Sequence, residues 1–250
     1  MQTTPAQSFV RGLDLPEEPP ALEALTDAVE FSNQTQVVAV GAQMAEFSEQ
    51  VSPALRSAVS DCLLLAQLAA NKATASQPDV MAWYRKYVEV LQGVGWTVQS
   101  MSFQRQDLSA LNGGVHKAII PVITAMLGPA VAAASMVVSV LSGLQEMDKD
   151  SPWITVFDRA SQHASGAKFQ FAFVQADSAG SPQIRLLALA IDAHRTITQV
   201  LFFRFSDQSS ELSTAESALG IDAARLESIK APVAARVQPF LSDFLANIDI

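Results

Sequence analysis

Cysteine is almost missing. Cys62 is the only one in 250 residues, which excludes a disulfide-stapled secreted fold and any multi-cysteine metal site. Histidine is scarce as well, and His116, His163 and His194 are too far apart along the chain to form a local metal site. Positive charge is in deficit: 16 basic residues stand against 25 acidic ones, a formal net charge of −9. A protein that faces phosphate usually carries a basic surface, so no nucleic-acid partner is expected. Bulk charge would not draw this chain to anionic membranes either. Glycine and proline together number 23, charged residues are 16% and hydrophobic residues 49%, which excludes a disordered chain, a collagen-like chain and a coiled-coil rod. The nucleophile elbow G-x-S-x-G, the phosphate loop, the dinucleotide fingerprint G-x-G-x-x-G and H-E-x-x-H are all absent. The expectation is a non-enzyme with no catalytic residue, no cofactor and no metal.

What is present is enough apolar sequence for one sizeable core. Residues 1–33 are the least globular part. Arg11 stands there against Asp14, Glu17, Glu18, Glu23, Asp27 and Glu30, with Pro5, Pro16, Pro19 and Pro20 between them. The segment reads as an acidic arm or removable leader, or equally as a capping helix on the core, with helix expected only over about 21–31. It lacks the basic start and apolar core of a signal peptide, so synthesis without one is expected. The single domain then runs over 34–250.

TQVVAVGA (35–42) predicts a first strand and 43–51 a helix. Ser52-Pro53 opens a helix whose residues Leu55, Val59, Cys62, Leu63, Ala66 and Ala70 form one wide apolar face, which makes Cys62 a buried, inert thiol. A helix over 78–92 ends at Gly93 and Gly95, and alternation predicts a strand over 96–104. Ala118–Leu144 is 27 residues without a charge. Length alone would suit a membrane span, but Gly128-Pro129 divides it, so two helices are expected at about 114–127 and 129–144, forming a hairpin. Asp148, Lys149 and Asp150 follow as a solvated turn. KFQFAFVQAD, QIRLLALAIDA and TITQVLFFRFSDQ then read as three strands of an antiparallel meander. A loop is expected over 209–218, and short helices over 221–230 and 233–246, divided by Pro232.

Residues 152–210 resemble the C-terminal sheet region of the Cyt-type δ-endotoxins. The likeness is carried by PWITVFDRASQHASGAKFQFAFVQAD, by QIRLLALAIDA and by TITQVLFFRFSDQSSEL, with Gln199-Val200-Leu201-Phe202-Phe203 its sharpest piece. The upstream order of short strand, helices, strand and apolar helix pair is similar from about residue 35.

The resemblance implies an α/β (α+β) fold: a single three-layer domain with a central, mostly antiparallel β-sheet flanked by α-helical hairpins. It implies a cytolytic, pore-forming or membrane-disrupting toxin that binds phospholipid membranes of a target cell, self-associates there and acts outside its producer, in which it is soluble. It further implies trimming of 1–33 and of a tail after about 230, as in a protoxin. The membrane-active strands would be Phe169–Ala176, Gln183–Ala193 and Thr196–Asp207, with Phe169, Phe171, Phe173, Leu187, Leu189, Ile191, Val200, Leu201, Phe202 and Phe203 as insertion candidates. The alternative of another class is a lipid- or fatty-acid-binding, virulence-associated protein of the same fold, with a cavity lined by Phe171, Phe173 and Leu201. The sheet region has no cysteine, so acylation there is not expected.

Overall fold

The computed structural model describes residues 4–17, 29–76, 79–107, 115–128, 135–143, 151–162, 167–191 and 211–248. The β-branched run QVVAV forms β1 (Gln36–Val40). Gly41, at φ +58°, then reverses the chain in two residues. The next five residues therefore return along β1 as β2 (Gln43–Phe47), with Val40 opposite Gln43 and Gln36 opposite Phe47. This corrects the helix expected over 43–51: a tight turn with a positive φ hands the following residues a ready strand edge, and pairing overrides local propensity.

Ser52-Pro53 opens α2 (Pro53–Thr74) as expected. Every residue from Ala58 to Ala70 is buried, so the helix is enclosed all round and not on one face alone. Asp79 caps α3 (Val80–Val94) by accepting from the amides of Met81 and Ala82, and Gly95 ends it at φ +126°. The long strand β3 (Thr97–Asp107) follows.

The uncharged run is divided as expected. α4 (Val115–Leu127) stops before Gly128, whose φ is +78°, and α5 covers Met136–Gly143. No helix among the described residues is long and apolar enough to cross a membrane. The aromatic-led segment is a helix, α6 (Pro152–Gln162), leading to β4 (Ala167–Ala176) and β5 (Pro182–Ile191).

The third strand of the meander, β6, is Glu211–Gly220. This corrects the loop expected over 209–218; the strand expected over 196–207 lies outside the described residues. ELSTAESALG has little β propensity of its own. It is held by ladders on both sides, Ile184–Leu219 and Leu189–Thr214 with β5, and Met101–Ser217 and Phe103–Ala215 with β3.

α7 (Ala223–Val237) runs through Pro232, where a break was expected. Its stripe of Leu226, Ile229, Val233 and Val237 is buried on the core, and that packing holds the helix across the missing amide. A 3-10 turn (Gln238–Phe240), α8 (Leu241–Phe244) and β7 (Leu245–Asn247) complete the described chain. At the other end, α1 covers Pro5–Gly12, where no helix was expected; residues 18–28 lie outside the described residues. Thr4 and Gln7 form a reciprocal capping box, and Ala6 and Val10 are buried. The Gln7 side chain donates to Ser228 O (3.0 Å), and Arg236 donates to Leu13 O, so this helix is tied to α7.

The seven strands form one sheet in the order β3-β6-β5-β4-β2-β1-β7. Every adjacent pair is antiparallel except β2 with β4. Helices pack on both faces. Val38, Val40, Ala45, Phe47, Ala172 and Leu186 point into a core shared with α1, α2, α3 and α7. Val37, Ala39, Met44, Phe169, Phe171 and Leu187 point into a second core under α4, α5 and α6. The fold is α/β, helices on a mixed but mostly antiparallel sheet.

The first core contains a polar web. Arg56, fully buried, donates to the carbonyls of Val51 (2.7 Å), Gln34 (2.6 Å) and Ser48 (2.9 Å). Gln67 accepts from the Ala42 amide (3.1 Å) and donates to Val40 O (2.7 Å), which ties α2 to the β1–β2 turn. A Cβ at residue 41 would lie 2.6 Å from Gln67 Oε1. Gly41→Ala is therefore expected to destabilise the protein by about 1–2 kcal/mol from the left-handed backbone alone, and more from the clash. The shift of the urea midpoint measures it.

Candidate functional site

Alternation along β4 and β5 and their antiparallel register bring the expected insertion residues together. Phe169 lies opposite Leu189 and Phe171 opposite Leu187. Phe169, Phe171, Phe173, Leu187 and Leu189 share one face of the sheet and one apolar core. Each is buried; the most accessible, Phe173, is 8% exposed. The Ile191 backbone pairs with Ala167 at the strand end. Val200, Leu201, Phe202 and Phe203 lie outside the described residues.

The cover over this face has an unusual composition. From Ala118 to Leu127 and from Met136 to Gly143 it carries no charged residue. Ile119, Ile123, Leu127, Val137, Val140 and Leu141 point inward. Ile120, Val122, Met126, Met136 and Val138 are only partly buried, so the cover is apolar on more than its inner side. α6 adds Trp153 and Phe157; the Phe157 ring lies 6.3 Å from that of Phe169.

Two charged side chains of the sheet reach the cover, one at each helix end where a dipole suits it. Glu46 of β2 accepts from Ser135 Oγ (2.9 Å) and from the Val137 amide (2.9 Å) at the start of α5. Arg185 of β5 donates to Met126 O (3.0 Å) and Leu127 O (3.4 Å) at the end of α4. The ladders place Glu46 opposite Phe173 and Phe173 opposite Arg185, so the three form one row across β2, β4 and β5. A cavity of about 70 Å³ lies along this row, lined by Glu46, Ser48, Leu127, Phe173, Gln175 and Arg185 among others.

Burial raises the Glu46 carboxyl above its ordinary value of 4.5, and this desolvation outweighs the hydrogen bonds from Val137, Ser135 and Met136 that favour the anion. Sequence reasoning missed this row. Its one visible signal was Glu46 itself, an acid inside the apolar run VVAVGAQMAEF.

Cys62 and Asp61 are further buried groups among the described residues with raised pKa values. Cys62 is fully buried and its thiol is pushed up to about 12, chiefly by burial. Asp61 is raised to about 6 by burial, against the opposing field of Lys230. No group of three or more metal-ligating side chains occurs among the described residues.

Because docking raises the Glu46 pKa, its contribution to holding the cover is fully present below about pH 4.5 and is lost as pH rises through the folded value. Asp61 acts in the same direction on the whole fold, its contribution fully present below its ordinary 3.8 and lost as pH rises through about 6. Wild type should therefore melt at higher temperature near pH 5 than near pH 7.5. Glu46→Gln should melt above wild type at pH 7.5 and show a shallower pH dependence; an unchanged slope would mean the carboxyl is not desolvated by the cover.

Among the solved structures that align with this chain are the following two. One is a delta-endotoxin, 13% identical, with 85% of this chain and 96% of that chain covered and a TM-score of 0.33. The other is the Evf virulence factor, 14% identical, with 85% and 86% covered and a TM-score of 0.32. No family model matches the chain, and no curated protein sequence matches it. Overlap at this level leaves function to be argued from the chain's own residues.

Proposed function

We propose that this protein is a non-enzymatic, membrane-active cytolysin that binds phospholipid bilayers and inserts β4 and β5 after α4–α6 lift away. The observation that carries the reading is the pairing of two ten-residue strands, whose shared face holds Phe169, Phe171, Phe173, Leu187 and Leu189, with a cover that is uncharged over 118–127 and 136–143 and tethered at its ends. A strand of roughly 9–11 residues spans a bilayer when tilted, and closure of strands from several chains would satisfy the backbone in lipid. The cover suits the same step over 118–127 and 136–143, where no charge occurs and Ile120, Val122, Met126, Met136 and Val138 are partly buried; its charges, Lys117, Asp158 and Arg159, stand outside those stretches.

Magnitudes set the condition for release. Burying a Phe or Leu side chain is worth roughly 1.5–3 kcal/mol. Uncovering Phe169, Phe171, Phe173, Leu187 and Leu189 in water would thus cost on the order of 10 kcal/mol. Lipid tails remove most of that cost, so the change is expected at a membrane and not in solution.

The proposal places trimming at the N-terminal arm. Val233, Val237 and Phe240 are buried in the first core and β7 pairs with β1, so a cut after Lys230 should abolish the cooperative melt. A cut after Asn33 removes α1 from the face opposite the cover and should leave a folded chain with a lower melting temperature. Circular dichroism melts of the two truncations distinguish them.

The direct test is dye release from phosphatidylcholine/phosphatidylethanolamine vesicles with the full chain and the chain cut after Asn33. Release is expected. Arg185→Ala, which frees the end of α4, should accelerate it several-fold, and Glu46→Gln should slow it at pH 7.5. Binding to vesicles without release, together with lipid extracted from the purified protein, would favour a lipid- or fatty-acid-binding module. The absence of both binding and release would overturn the membrane reading.

A further inference from the structure

Among the described residues, the only large hydrophobic side chains that are exposed are Met101, at 45%, and Phe103, at 41%. They sit two residues apart on β3, the first strand of the sheet order. β3 is eleven residues long, and no described strand pairs with its outer edge. Such edges are normally blunted by proline, by lysine, by inward charges or by brevity. Between Ser100 and Gln104 this strand has none of these, and its β-bulge, between Val98 and Ser100, lies at the end of that stretch.

We propose that this edge pairs with the same edge of a second copy, antiparallel about a twofold axis through Ser102. The register follows from the side chains. An axis at Ser102 sets Met101 opposite Phe103 of the second copy, and Phe103 opposite Met101 of the second copy. Both exposed apolar residues are then covered, each by the other, on one face. Ser100 meets Gln104, and Arg105 falls beside Gln99 and not beside another arginine. The charge balance favours this edge over others: the chain carries a net −9, yet Thr97–Gln106 contains no acidic residue.

A groove of about 380 Å³ supports the same register. It is lined by Met81, Arg85, Phe103, Gln104 and Arg105, on the α3 side, where the Tyr84 ring meets Phe103 edge-on at 6.0 Å. Met101 of the second copy would enter at its Phe103 wall.

The pairing goes beyond the membrane reading, and it is tested without vesicles. Ser102→Cys brings two thiols together at the axis, where directly opposite Cβ atoms lie about 4.5–5.5 Å apart. It should form a disulfide-linked dimer under mild oxidation. Ser100→Cys should cross-link at least tenfold more slowly. Cys62 is buried and takes no part. Adding Phe103→Lys to Ser102→Cys should suppress the dimer at least tenfold, and sedimentation of the wild-type chain should show a monomer–dimer equilibrium that Met101→Lys abolishes. Equal cross-linking at residues 100 and 102 would overturn the register. A wild-type chain that stays monomeric at every concentration, with no Ser102→Cys dimer from a folded variant, would overturn the pairing itself. Dye release by any of these variants bears on the membrane reading alone.

Discussion

A sheet that is apolar on both faces must be covered on both, and this requirement organises the molecule. Alternation along β4 sends Phe169, Phe171 and Phe173 to one side and Ala172 and Val174 to the other. Neither side can face water, so each recruits a helical layer. The two layers are not equivalent. One is built around α2, enclosed along its central thirteen residues, from Ala58 to Ala70, and fixed by buried hydrogen bonds from Arg56 and Gln67. The other consists of α4, α5 and α6, uncharged over 118–127 and 136–143, and is tied to the sheet by Glu46 at the start of α5 and Arg185 at the end of α4.

That asymmetry gives the proposed activity a physical direction. The first layer carries directional bonds that lipid cannot replace. The second is held mainly by apolar contact, which a bilayer can supply equally well. Glu46 sharpens the contrast, since its anion is less well served in the docked state than in water despite the bonds it accepts. The stable layer would remain a scaffold while the apolar one exchanges its sheet face for lipid.

Strand lengths divide the sheet along a related line. β4 and β5 have ten residues each, β6 has ten and β3 eleven, whereas β1 and β2 have five and β7 three. The long strands are neighbours and antiparallel, and the short ones lie beyond the parallel β2–β4 junction. β3 ends the long block, with no partner on its outer side among the described strands, and Met101 and Phe103 are exposed there.

Much of this was legible from periodicity. The strand expected over 96–104 and the one at KFQFAFVQAD follow from alternation, QIRLLALAIDA from its apolar run, α2 and α3 from apolar spacing, and α4 and α5 from an uncharged run divided at Gly128-Pro129, because each depends on residues near one another in the chain. The apolar face that Phe169, Phe171 and Phe173 share was legible for the same reason, since alternation alone aligns them. What failed were elements whose conformation is imposed from outside. QMAEF is a strand because Gly41 turns it onto β1, ELSTAESALG is one because β3 and β5 hold it from both sides, and α7 crosses Pro232 because its stripe is pinned to the core. The sequence by itself determined an acidic, cysteine-poor α/β chain with an uncharged helix pair and apolar strands. Only the tertiary structure decided that Glu46, Phe173 and Arg185 form one row beneath that pair, and that Met101 and Phe103 stand exposed on the first strand of the described sheet. Both facts depend on which strands become neighbours, and strand order is set by contacts between residues that are distant in sequence.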